Sequence, residues 1–156
     1  MITSQDRRYI EDAITNKVAT DHLLEAIITT AEISLSYDQI LALNTSPVEI
    51  VPAPGAGKVI EFVSAILATY FNTAAYTGGD VVSIAIGGGG NSVSSTVSTA
   101  NCFGAVANRI TMLSASGPGP CAEDTALVIK ADADFTDPGT AAGTGKVIVT
   151  YRIHQV

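Results

Sequence analysis

A chain of 156 residues, 47% apolar and only 15% charged, is long enough for one domain with a substantial core, and its surface must draw polarity from Ser, Thr, Asn and backbone. Fifteen acids against eight bases, a net charge of −7, argue against a protein that grips a phosphate backbone with cations. No apolar run approaches the ~20 residues of a membrane-spanning helix, and Met1–Arg8 leads into no apolar stretch of the kind a signal peptide needs.

So few charges suit a surface that is largely covered by partners, and the expectation is an oligomer or assembly subunit. Cys102 and Cys121 are too few for a disulfide scaffold. They are expected as free thiols in a reducing compartment, with pairing open if adjacent strands bring them together.

The chain divides into a helical arm, residues 1–31, and a β-domain, residues 32–156. In the arm Ser4 is placed to cap a helix, with Asp6 in its first turn. Ile10, Ala13, Ile14 and Val18 then fall on one helical face, and Leu23, Leu24 and Ile27 suggest a second short helix. Six of the fifteen acids and three of the eight bases lie in residues 1–32. Such an arm suits a packing lid, a trimer-forming helix or an anchor to a larger body.

Glu32–Leu35 alternates as a first strand. Ser36 and Gln39 form a capping-box pattern for a short helix through Leu43, which Asn44–Pro47 stops and which plugs one end of the β-domain. Val48–Val51 and Val59–Leu67 read as strands around Pro52–Gly57, and that pairing suggests a hairpin. Tyr76–Asp80 is a turn, Val81–Ile86 a strand and Gly87–Asn91 a loop. Ser92–Ser98 fits helix or strand, and Phe103–Met112 shows apolar residues at ambiguous spacing. Ser114–Pro120 is a loop, Thr125–Ala131 a strand, Thr136–Gly145 a loop and Lys146–His154 a last strand with near-strict alternation. About eight antiparallel strands behind a helical arm make the fold a β-sandwich or jelly roll.

Little in the chain points to chemistry. Gly55-Ala56-Gly57-Lys58 invites a phosphate-loop reading, but Pro52 stands where that pattern needs glycine and Val59 where it needs Ser or Thr. Lys58 also leads into a strand, so no helix dipole faces a phosphate. Gly87–Gly90 lacks a following helix and reads as a surface loop. Asp132, Asp134 and Asp137 are the one carboxylate cluster; without Ca²⁺-loop spacing they read as a solvated strand end and turn. His22 and His154 are the only histidines, too few with two cysteines for a zinc site or an oriented base. No catalytic, cofactor-binding or metal-ligating residue is assigned, and the chain is read as no enzyme.

The stretch Gln39–Ile60, QILALNTSPVEIVPAPGAGKVI, followed by the YTGG turn at Tyr76–Gly79, resembles small virion proteins of tailed bacteriophages, in particular capsid decoration (cement) proteins. The resemblance implies a β-sandwich or jelly-roll subunit that trimerises on the shell, with the major capsid protein as partner. It also implies a place on the virion's capsid surface after assembly in the bacterial cytoplasm. Its motif is structural and carries no active site, and the arm lies outside it. A tail, fibre or adaptor subunit of the virion is the nearest rival. A glycan-binding module is the rival from another class; it predicts exposed aromatics, yet the chain has no Trp and 6% aromatic residues.

Overall fold

The strand Lys58–Tyr70 carries two burial patterns in one run of 13 residues. Ile60 and Phe62 are buried at even positions, whereas Ala65, Leu67 and Thr69 are buried at odd ones. Side chains alternate faces along a strand, so such a switch requires one extra residue. The pairing supplies it: Tyr151 lies opposite Phe62 and Thr150 opposite Ser64, which leaves Val63 as a bulge. The bulge lets both halves of the strand bury their apolar side chains on the same side.

The computed structural model describes residues 10–11, 27–88, 91–117, 122–139 and 142–156. Its strands are β1 (Thr29–Leu35), β2 (Val48–Val51), β3 (Lys58–Tyr70), β4 (Thr77–Gly78), β5 (Val81–Ile86), β6 (Asn91–Ser92), β7 (Val97–Ser98), β8 (Arg109–Ser114), β9 (Leu127–Ala131), β10 (Phe135–Thr136) and β11 (Thr144–Gln155). One short helix, α1 (Tyr37–Leu41), follows β1. Ile10 and Glu11 are helical, and the rest of the expected arm up to residue 26 lies outside the described residues.

Two antiparallel sheets form. The first runs β1-β11-β3-β8; the second runs β2-β9-β5-β6, with β7 also on β5. Taken along the chain, β1, β3, β8 and β11 fall in one sheet and β2, β5, β6–β7 and β9 in the other. That is the strand arrangement of a jelly roll, with β6 and β7 as two pieces of one broken strand and β4–β10 as a small extra pair. The expected mainly β sandwich is the observed fold.

The core lies between the inner faces. The pairs Val82–Ala131, Ile84–Ile129 and Ile86–Leu127 supply it from one sheet. Leu67, Val147, Val149 and Leu113 supply it from the other. Ser36 caps α1 by accepting from Gln39 N–H, while the Gln39 side chain accepts from Ser36 N–H, the capping box read in the sequence. Ile40 and Leu43 are fully buried, so the helix does close one end of the sandwich.

One expectation fails. Val48–Val51 and Lys58–Tyr70 are no hairpin, because β2 pairs with β9 and β3 with β11 and β8. Pro52 and Pro54 offer no N–H to a ladder, and the six residues Pro52–Gly57 carry the chain across from one sheet to the other. The first strand also begins at Thr29, before Glu32, and a regular strand, β8, starts inside the ambiguous run Phe103–Met112 and continues to Ser114.

The bulge predicts opposite outcomes for adjacent residues. Leu67→Ala, at a fully buried position, should cost about 2–5 kcal/mol. Ile66→Ala, on the outer face, should cost about 1 kcal/mol or less. Urea unfolding of both variants reads the difference, and a reversed ranking would place β3 in the other register.

Candidate functional site

The Pro52–Lys58 turn does gather backbone donors. Gly55 and Gly57 both have positive φ, 94° and 73°, a conformation that L side chains rarely adopt. It aims their N–H groups at carboxylates: Gly55 N donates to Asp124 Oδ1 at 2.8 Å and Gly57 N to Glu123 Oε1 at 2.5 Å. Asp124 N in turn donates to the Lys58 carbonyl, and Val156 N to the Gly57 carbonyl. The anion that this concave turn holds is therefore the protein's own. Phosphate would have to displace two tethered carboxylates, each in a charge-assisted hydrogen bond. The acidic clasp of this connection is the part that local sequence could not reveal, 66 residues away.

The other end of the sandwich is aromatic. Tyr76 lies 6.0 Å from Phe103, 5.8 Å from Phe135 and 6.1 Å from Tyr37, ring centre to ring centre, and its hydroxyl donates to the Gly143 carbonyl at 2.8 Å. Where the sequence reads as a turn, Tyr76–Asp80, residues Thr77–Gly78 form β4 against β10, and the rings pack so closely beside it that a Cβ on Gly79 would come within 2.3 Å of the Phe135 ring. Burial pushes the Tyr76 hydroxyl up to about 12, so it stays protonated and serves as a structural donor. Both stretches that carry the resemblance, Gln39–Ile60 and the Tyr76 turn, are thus framework, contributing Ile40, Leu43, Ile50, Val51, Ile60 and Tyr76 to the core.

The three aspartates diverge. Asp132 pairs with Lys130, Asp137 accepts from Gly139 N and has its carboxyl drawn below the ordinary range by the nearby Tyr37 hydroxyl, and the backbone carbonyl of Asp134 accepts from Gly79 N. Among the described residues no three His, Cys, Asp or Glu side chains converge on a common point. His154 lies 2.8 Å from Glu61 at the rim of the first sheet, where Arg152 also approaches that carboxylate; His22 lies outside the described residues. Of the glycine run, Gly87 and Gly88 are described and form a turn.

Cys102 is a buried free thiol that donates to the Ser98 carbonyl. Its surroundings push it up to about 11, above the range of a reactive thiolate. Cys121 lies outside the described residues.

What the sequence reading missed is a surface. Val106, Ile110 and Met112 are 77–80% exposed, on β8 and the loop that leads into it. An open groove of ≈ 590 Å³ runs beside this strand, lined by Thr96–Ser98, Asn101 and Arg109–Met112. Large apolar side chains standing this free mark contact surface rather than chemistry. Their signal was hidden because β8 carries apolar residues on both faces, Leu113 inward and Ile110 and Met112 outward, which erases the alternation.

No family model and no curated protein sequence matches the chain. Among solved structures it is similar to a chain in the cyanophage Pam1 capsid asymmetric unit, with a TM-score of 0.44 and 15% identity over 81% of this chain and 83% of that one. The functional reading therefore rests on the residues themselves.

Tyr37 and Asp137 provide a test of the aromatic end. The hydroxyl of Tyr37 holds the Asp137 carboxyl below the ordinary carboxylate range. A depressed folded-state value adds stability above the unfolded value and loses it as pH falls through the folded one. Wild type should be more stable than Tyr37→Phe at neutral pH, and the gap should close in acid. Thermal melts of both proteins from about pH 6 to about pH 2 read this, spanning the carboxylate range; a gap of constant size would remove the contact from the account.

Proposed function

We propose that the chain is a non-enzymatic virion structural protein, a cement subunit that binds the major capsid protein on the assembled phage head as a homotrimer. One observation carries this reading: a jelly roll whose turn donors and carboxylates are engaged with each other, yet whose outer surface leaves Val106, Ile110 and Met112 open. A protein built this way acts by contact. The resemblance of Gln39–Ile60 and the Tyr76 turn to decoration proteins supplies the partner.

The mechanism is linkage. A subunit that binds only the closed shell stabilises it by RT ln(1 + [L]/Kd), about 2.7 kcal/mol at a hundredfold excess over Kd. Several copies held together multiply weak single contacts into strong retention. Apolar contacts are little screened by salt, unlike those of a charged clamp. With a net charge of −7 the chain is ill suited to the packaged nucleic acid, and the outer surface of the shell is the place left to it.

Purified protein added to heads assembled without it should co-sediment with them and raise their melting temperature in a concentration-dependent way. Binding should persist when salt is raised several-fold. Failure to co-sediment, or retention on tails with none on heads, would contradict the reading.

A further inference from the structure

The four sheet edges are not protected alike. An exposed edge strand offers unpaired N–H and C=O groups to any other strand, and proteins blunt such edges with charge, proline, bulges or brevity. β2 is four residues long, flanked by Pro47 and Pro52, with an irregular register at Ile50. β6 and β7 have two residues each. β1 carries Glu32, which is salt-bridged to Lys146 across the strand pair. β8 is the least protected of the four: its six residues, RITMLS, pair with β3 without a register shift and include no proline or acid. Its one charge is Arg109 at the start, and among the described residues only its last residue, Ser114, is paired on the free side, by Ser95.

The direction of its free backbone groups follows from its far end. Ser95 N donates to the Ser114 carbonyl at 2.7 Å and Ser114 N to Ser95 Oγ at 3.2 Å, so the peptide groups of Ser114 point away from β3. In an antiparallel ladder that direction repeats every second residue. The N–H and C=O of Ile110 and Met112 therefore also point out of the sheet edge, along the open groove. The same two residues present the exposed apolar side chains, 77% and 80% free.

We propose that this edge is an interface between two copies of the chain, formed by antiparallel pairing of β8 with β8 of the second copy about a two-fold axis near Thr111. Three features select a second copy. The strand is self-complementary: with Thr111 opposite its own equivalent, Ile110 of each copy faces Met112 of the other on one side of a continuous eight-stranded sheet. The surface suits a chain of net charge −7, because Ser64, Ile66, Ala68, Ile110, Met112 and Ser114, the outward residues of β8 and the adjoining half of β3, include no acid. Two copies can meet there without opposing carboxylates. The contact is also apolar: Ile110 and Met112, 77% and 80% exposed in the single chain, would meet their counterparts across the two-fold axis.

A two-fold contact does not itself close a trimer. It gives dimers from single copies and joins trimers in pairs, and it uses the same Ile110 and Met112 that the shell reading leaves open, so a test made without heads reads it apart from that reading.

Light scattering of the purified full chain, alongside Met112→Asp, tests this. Met112 is mostly solvent-exposed, so the variant should keep the circular dichroism of wild type, while its melting temperature loses the concentration dependence that self-association gives. Wild type should be an even-numbered species and the variant half its mass, with self-association at least tenfold weaker. A Thr111→Cys variant should in addition form a disulfide-linked dimer on mild oxidation, since directly opposed Cβ atoms lie within disulfide reach. The same mass for both proteins at every concentration would overturn the proposal. So would a dimer that does not cross-link through position 111.

Discussion

The twelve-residue pairing of β11 with β3, displaced by one residue at Val63, is the constraint on which the rest depends. β11 keeps a single parity throughout, with Gly145, Val147 and Val149 buried. Without the bulge, either Ile60 and Phe62 or Ala65 and Leu67 would be turned out to solvent. With it, the central strand faces one core along its whole length, and the outward residues on its second half become Ile66 and Ala68 beside Met112 and Ile110. The same displacement that closes the interior therefore produces the uncharged outer face next to β8.

Much of this fold is legible in the sequence, and the exceptions share a cause. β5, β9 and β11 are readable because apolar and small residues run in blocks bounded by turns, and α1 because Ser36 and Gln39 satisfy each other's backbone donors three residues apart. These are local signals. The mistaken hairpin came from treating Pro52–Gly57 as a local reversal when its shape is set by Glu123 and Asp124, far along the chain. β8 was obscure because both of its faces are apolar, one for the core and one for contact. Whether a turn joins neighbours or crosses between sheets is a long-range property, and periodicity cannot report it.

The same distinction separates the candidate sites. Among the described residues, the groups that looked chemical in sequence are engaged in structure: the N–H groups of Gly55 and Gly57 hold carboxylates, Asp137 accepts from Gly139 N, and Cys102 is buried. The polar groups near the turns hold the frame, and the apolar groups left over lie on an edge. That division is what a protein working through assembly requires, because its specificity comes from which surfaces remain uncovered when the fold is complete.

A virion density map at side-chain resolution tests this division most directly. The account predicts the jelly roll on the exterior of the head, with Ile110 and Met112 covered by another polypeptide and the Pro52–Lys58 turn still clasped by Glu123 and Asp124. Density for the chain with β8 facing bulk solvent, or none on the head at all, would contradict it.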